Sequence, residues 1–236
     1  GHYLLAGLSE DPNGYGRSDF AMLKVDTAGR KVWSKIVGGT QSERLNDCLE
    51  NNGKYYFLGW SQSEGNGEND IAILTTDTAG KLTKSYVVGS TRSELAFNFL
   101  FDDSRDQLII SGYSELLSDP GKKNNRTPFL LRIPIWKPRL FSITGYGSDD
   151  VDGHWPMGIA ETNQEQGYYL LSSSNSYSTS SDYDMFLMKT DSTGAAGCKN
   201  QKLKFKFKSV PSWKEKDFGS ISKQLLATSS ATLTSS

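Results

Sequence analysis

Asp26-Thr27-Ala28-Gly29 returns as Asp77-Thr78-Ala79-Gly80 and, altered, as Asp191-Ser192-Thr193-Gly194. Each copy directly follows an apolar run: Ala21-Met22-Leu23-Lys24, Ala72-Ile73-Leu74-Thr75 and Phe186-Leu187-Met188-Lys189. A fourth run, Phe129-Leu130-Leu131-Arg132, lacks the turn, because Pro134 and Lys137 stand where Asp and Gly belong. Ala21, Ala72, Phe129 and Phe186 are 51, 57 and 57 residues apart. A repeat of that length means one supersecondary unit stacked on copies of itself.

Each unit carries four short apolar segments. In the second they are Asn46–Leu49, Lys54–Gly59, Asp70–Thr75 and Leu82–Val88; in the third, Leu95–Phe101, Gln107–Tyr113, Phe129–Ile133 and Arg139–Thr144. The fourth unit offers Trp155–Glu161, Tyr168–Ser173 and Met185–Lys189. All are four to eight residues long, rich in β-branched and aromatic side chains and bounded by Gly, Asn, Asp or Ser, which is the strand signature. The second and third segments of each unit are nearly continuous in apolar residues, as strands buried on both faces are. Small sheets sandwiched between others and repeating every 50 to 60 residues describe an all-β fold, a β-propeller of four-stranded blades.

The repeats fall at about 1–45, 46–94, 95–150 and 151–198. Tyr3-Leu4-Leu5-Ala6-Gly7 matches the second strand of a unit, so the first unit lacks its opening strand and three and a half to four blades are present, as part of a larger ring. The segment 199–219 is basic, and its alternation Lys204-Phe205-Lys206-Phe207-Lys208 reads as an edge strand whose lysines discourage edge-to-edge pairing. Residues 220–236 read as a Ser/Thr-rich linker or tail.

Composition narrows function mainly by exclusion. Among 236 residues, 26 basic and 27 acidic side chains give a net charge of −1, so no global field steers the chain to nucleic acid or an anionic membrane. No apolar stretch is long enough for membrane insertion by a helix. The two cysteines are too few for a disulfide scaffold, and Cys48, in a strand pattern, reads as a small buried hydrophobe. His2 and His154 form no zinc-binding spacing, and nucleophile elbows and phosphate loops are missing, so the expectation is no enzyme and no cofactor.

The Asp-x-x-Gly elements read as turns: the carboxylate accepts following N–H groups and Gly takes the positive φ. One carboxylate per copy is too few for a hard cation. Asp149-Asp150-Val151-Asp152-Gly153 looks more like a Ca²⁺ loop, making Asp150 and Asp152 weak metal candidates. It nevertheless occupies the crossover filled elsewhere by Gly38–Glu43 and Gly89–Glu94, and lacks further ligands. Of five tryptophans, Trp33 and Trp60 end strands where an aromatic closes a core, whereas Trp155 sits in a polar crossover as a candidate ligand-binding ring.

Tyr3–Gly7, Asp19-Phe20, Lys24-Val25-Asp26, Gly29, Trp33 and Gly38-Gly39 together resemble the secreted propeller repeats of Bacteroidetes. The resemblance covers residues 1–198, strongly in the first two units and loosely in the third, where Thr127-Pro128 and Ile133-Pro134 depart from the motif. The closing Lys189–Cys198 resembles a last repeat before a type IX secretion sorting domain. The resemblance implies an extracellular or outer-surface scaffold for adhesion, surface assembly or binding, with a protein or glycan partner. The alternative is a lectin-like module or the scaffold part of a carbohydrate-active enzyme. It also implies O-glycosylation at Thr27 and Thr78, with Ser192 a looser match, each at a hairpin tip where a sugar projects into water.

Overall fold

A strand that is apolar on both faces needs a packed neighbour on each, and the chain meets this demand by stacking small sheets. The computed structural model describes residues 1–116, 126–147, 155–162, 167–174, 183–197 and 200–217. The first sheet holds β1 (His2–Ser9), β2 (Asp19–Asp26) and β3 (Lys31–Gly38). The second holds β4 (Glu43–Asn51), β5 (Lys54–Ser61), β6 (Asp70–Thr76) and β7 (Leu82–Gly89). The third holds β8 (Glu94–Asp102), β9 (Gln107–Ser114), β10 (Thr127–Pro134) and β11 (Ser142–Tyr146); the fourth holds β12 (Trp155–Glu161), β13 (Tyr168–Ser174) and β14 (Asp184–Thr190). The strands pair antiparallel in chain order within each sheet.

The all-β expectation is met, and the repeat is visible in the register. Lys24, Thr75, Arg132 and Lys189 lie opposite Leu4, Tyr56, Ile109 and Tyr169 in their respective sheets. Side chains alternate between two interfaces. Tyr55, Phe57, Ala72 and Leu74 join Phe20, Met22 and Val37 in the core between the first and second sheets. Their neighbours Tyr56, Leu58, Ile71 and Ile73 turn the other way, onto Ala96, Phe99, Leu108, Ile110, Phe129 and Leu131. A smaller core of Ile109, Leu130, Tyr146, Tyr168, Leu170 and Met188 joins the third sheet to the fourth. This is why β6 and β9 are buried along their whole length.

The stack stops with apolar side chains still open at both ends. Tyr3 and Leu5 on β1, and Met185 and Leu187 on β14, are exposed. Among the described residues β1 is a sheet edge, and the first sheet has no counterpart of β4, β8 or β12.

The basic segment after residue 199 retraces the stack. β15 (Asn200–Gln201) pairs with β11, β16 (Lys206–Ser209) with β7, and β17 (Lys214–Asp217) with β3, so one short segment edges the third, second and first sheets in turn. Along β16 Lys206 and Lys208 are exposed while Phe207 packs inward. Leu203 enters the core between the second and third sheets, and Val210 and Trp213 enter the core between the first and second. The indole of Trp213 meets the Phe20 ring edge-on at 5.0 Å.

Three expectations are corrected. Arg139 does not open a strand: Pro138, lacking an N–H, starts a 3₁₀ turn over Pro138–Leu140, and β11 begins only at Ser142. Cys48 is half-buried rather than buried, beside the Leu4 carbonyl, and burial followed by the Asp47 charge pushes its thiol up to about 11. Trp60 is half-buried and lines an open groove instead of closing a core.

If the returning segment belongs to the core, truncating its aromatic anchor costs what an ordinary core truncation costs. Trp213→Ala is expected to destabilise the protein by about 3–5 kcal/mol in urea unfolding. A loss well under about 1 kcal/mol would show the segment to be merely draped on the surface.

Candidate functional site

The Asp-x-x-Gly elements are turns, built identically in all three copies. Asp26 Oδ1 accepts the N–H groups of Ala28 and Arg30, each at 2.9 Å, and Gly29 N–H donates to the Asp26 carbonyl. Asp77 repeats this with Ala79 and Lys81, and Asp191 with Thr193 and Ala195. Gly29, Gly80 and Gly194 have φ of 75°, 82° and 78°, the region that favours glycine. The second and third of these turns also grip the preceding sheet: Trp33 Nε1 donates to the Thr78 carbonyl at 3.1 Å, and Arg132 donates to the Ser192 carbonyl at 2.9 Å. Thr27 and Thr78 are exposed at their tips, while Ser192 is half-buried.

The crossovers between sheets hold buried carboxylates. Glu43, wholly buried, accepts Gly39 N–H at 3.0 Å and the Ser61 hydroxyl at 2.9 Å. Glu94, equally buried, accepts Ser90 N–H at 2.7 Å and the Ser90 and Ser114 hydroxyls at 2.5 and 2.8 Å. Asp70 takes Asn66 and Gly67 N–H on Oδ2, but its buried Oδ1 has no hydrogen bond. Gly89 separates the two acids: a Cβ there would lie 1.9 Å from Asp70 Oδ1 and 2.9 Å from Glu94 Oε2. Burial, with the Asp70 charge added, pushes Glu94 up to about 7, and burial raises Asp70 as well. Asp19 and Gly38 repeat the Asp70–Gly89 contact in the first sheet. These acids are sealed within the crossovers, where they fix loops.

A buried network joins the third and fourth sheets. Asp102 accepts the Tyr168 hydroxyl at 2.6 Å, Gln107 Nε2 at 3.1 Å and Arg105 Nη1 at 3.0 Å. Burial opposes ionisation here, but hydrogen bonds from Ser104, Tyr168, Gln107 and Arg105 outweigh it and hold Asp102 well below the usual carboxylate range.

The open concave site lies on the strands that begin the second, third and fourth units. β4, β8 and β12 each carry a bulge at the same place, between Leu45 and Asp47, between Ala96 and Asn98, and between Pro156 and Gly158. A bulge leaves one residue unpaired and re-aims its side chain. Two of these residues, Asn46 and Phe97, line a groove of about 700 Å³ with Arg44, Trp60, Asn69, Leu95, Asn98, Tyr113 and Pro156. Phe97 and Tyr113 lie 5.9 Å apart between ring centroids, and the Arg126 guanidinium sits 4.6 Å from the Tyr113 centroid. Asn46 donates to the Ala96 carbonyl at 2.7 Å, and Asp47 accepts Phe99 N–H at 3.1 Å, so side chains stitch β4 to β8 beneath the groove. Among the described residues nothing bonds the Arg44 guanidinium or the Asn98 amide, and no carboxylate lines the groove. Aromatic rings, amides and one guanidinium suit recognition of a polar ligand with apolar faces.

Asp150, Asp152 and His154 lie outside the described residues, and Trp155 is described only as backbone in β12. Sequence reasoning missed the groove because a bulge has no residue signature of its own. The one signal is a polar pair, Asn46-Asp47, that breaks the alternation of β4. No protein-family model matches the chain, and no curated protein matches it.

The raised Glu94 carboxyl sets a pH dependence. The folded chain keeps on Glu94 a proton that the unfolded chain releases near the ordinary value of 4.5, so the Glu94 contribution to stability is fully present below that pH and is lost as pH rises to about 7. The total is on the order of 3 kcal/mol. Denaturation midpoints measured at several pH values should follow this slope, and Glu94→Gln should flatten it; an unchanged slope in the variant would assign the effect elsewhere.

Proposed function

We propose that the protein is a non-enzymatic binding scaffold of the propeller type, its four sheets being successive blades of a larger ring and the bulged groove its ligand site. The blade reading is supported by the shared register, the two-faced burial of the middle strands, and the open apolar faces at Tyr3, Leu5, Met185 and Leu187, where further sheets would pack. The observation that carries the site is the bulge repeated in β4, β8 and β12, which costs ladder hydrogen bonds in three of the four sheets and turns Asn46 and Phe97 into one groove. The resemblance to secreted Bacteroidetes repeats supports an exported, surface or extracellular role in adhesion or assembly, through a protein or glycan partner.

The lining favours the glycan. Pyranose rings present apolar C–H faces to aromatic rings and hydroxyls to amides, and Trp60, Phe97 and Tyr113 stand beside Asn98 and Arg44. Wild-type protein should bind members of a glycan array, and Trp60→Ala and Phe97→Ala should each weaken that binding at least about tenfold, the loss of about 1.4 kcal/mol expected for one stacking ring. Binding unaffected by either substitution would remove the groove as the site.

The exposed turn tips carry a second expectation. Thr27 and Thr78 precede Ala28 and Ala79 on hairpin tips where a sugar meets water and leaves the strands undisturbed. Peptide mass spectrometry of protein from its native host should find hexose-bearing Thr27 and Thr78, with Ser192 less occupied. Bare peptides at both threonines would refute the modification.

A further inference from the structure

A second cleft, of about 580 Å³, opens where the third unit departs from the repeat. The regular Asp-x-x-Gly turn is replaced by Pro134–Lys137: Lys137 N–H donates to the Pro134 carbonyl at 3.3 Å, and the 3₁₀ turn of Pro138–Leu140 follows. This irregular turn holds Trp136 out into solvent at 67% exposure, the most exposed aromatic ring among the described residues. Facing it across the cleft are β7, which brings Lys84, and β16, which brings Phe207. Phe207 packs on Tyr86 at 5.1 Å, and the Arg139 guanidinium lies 5.8 Å from the Phe207 centroid, so one wall is an aromatic pair with a cation over it.

The charge of this cleft has one sign. Lys84, Lys137 and Arg139 line it, all exposed, and no ion pair engages them among the described residues. Among the described residues no carboxylate lines it; the nearby Glu215 is occupied, accepting Leu82 N–H at 2.9 Å. We propose that this cleft binds an acidic polysaccharide, with a sugar ring stacked on Trp136 and its carboxylate or sulfate paired with Lys84, Lys137 and Arg139. An isolated flat ring flanked by cations matches a polymer that alternates apolar ring faces with fixed anions. An acidic peptide would satisfy the cations but has no need of the indole, and a nucleic acid strand would call for several stacking rings in series. The site is separate from the groove on β4 and β8, so either can fail without the other.

The probes are an oligogalacturonate and a heparin-derived oligosaccharide, with neutral dextran and poly-glutamate alongside, measured by titration calorimetry at several salt concentrations. The expected result is binding to at least one acidic glycan, none to dextran, and much weaker binding to poly-glutamate. Trp136→Ala should reduce affinity at least about tenfold with an unchanged melting temperature, since the ring is exposed. The double variant Lys84→Gln/Lys137→Gln should bind more weakly and with a shallower salt dependence, whereas Lys202→Gln should match wild type. The relative affinity of the two glycans tells whether uronate or sulfate is the better anion. Failure to bind either glycan, equal binding by Trp136→Ala, or poly-glutamate binding as tightly as the glycans would each overturn the proposal.

Discussion

The structure rests on one constraint: the middle strands of each unit are apolar on both faces. Tyr55 and Phe57 point one way from β5 and Tyr56 and Leu58 the other, so the second sheet has no solvent side through its centre. Burying a side chain of this size contributes about 1.5–3 kcal/mol, and no single sheet could retain that gain alone. Stacking therefore follows from composition along the strand, and the number of sheets is limited only by where apolar faces end. At β1 and β14 they do not end, and Tyr3, Leu5, Met185 and Leu187 stay in water.

Apolar stacking alone would leave the sheets free to slide, because the hydrophobic effect has little directional content. Polar groups supply the register. Trp33 bonds to the carbonyl of Thr78, Asn46 to that of Ala96, Asp47 to the N–H of Phe99, and Tyr168 to Asp102, so each pair of neighbouring sheets is tied at fixed points. The crossovers act likewise from within: Glu43 and Glu94 draw loop N–H groups and hydroxyls onto buried carboxylates that would be costly if unpaired. Gly38 and Gly89 are required beside them because any side chain would collide with Asp19 or Asp70.

Much of this was legible in the sequence. The strands were placed to within a few residues because β-branched and aromatic runs bounded by turn residues leave little choice, and the Asp-x-x-Gly turns formed as their chemistry dictates. Arg139 was misplaced because Pro138 favours a 3₁₀ turn where the neighbouring units have a simple hairpin. The route of the returning segment was not readable beyond its alternation of Lys and Phe, since strand pairing between Lys206 and Gly89 depends on distant partners. The groove escaped for a related reason: Trp60, near the end of β5, lines open space beside the bulged strands, whereas Trp33, near the start of β3, lies against the neighbouring turn at Thr78.

Both clefts lie where the strand ladder or its closing turn is interrupted, and this has a physical reason. A perfect repeat presents the same surface in every unit, and its apolar side chains are consumed by stacking. Open space beside a ring or guanidinium is found where the pairing is interrupted close by, as it is next to the regularly paired Arg44 and Trp60. At β4 and β8 the interruption is a bulge, which frees Asn46 and Phe97 from the ladder. At the end of β10 it is the loss of the Asp-x-x-Gly turn, which frees Trp136. In the second unit the equivalent turn is closed by Asp77 and Gly80, and the Trp33 ring packs against it. The paired ladders thus build the stack, and its interruptions, the shared bulge and the lost turn, open its two clefts.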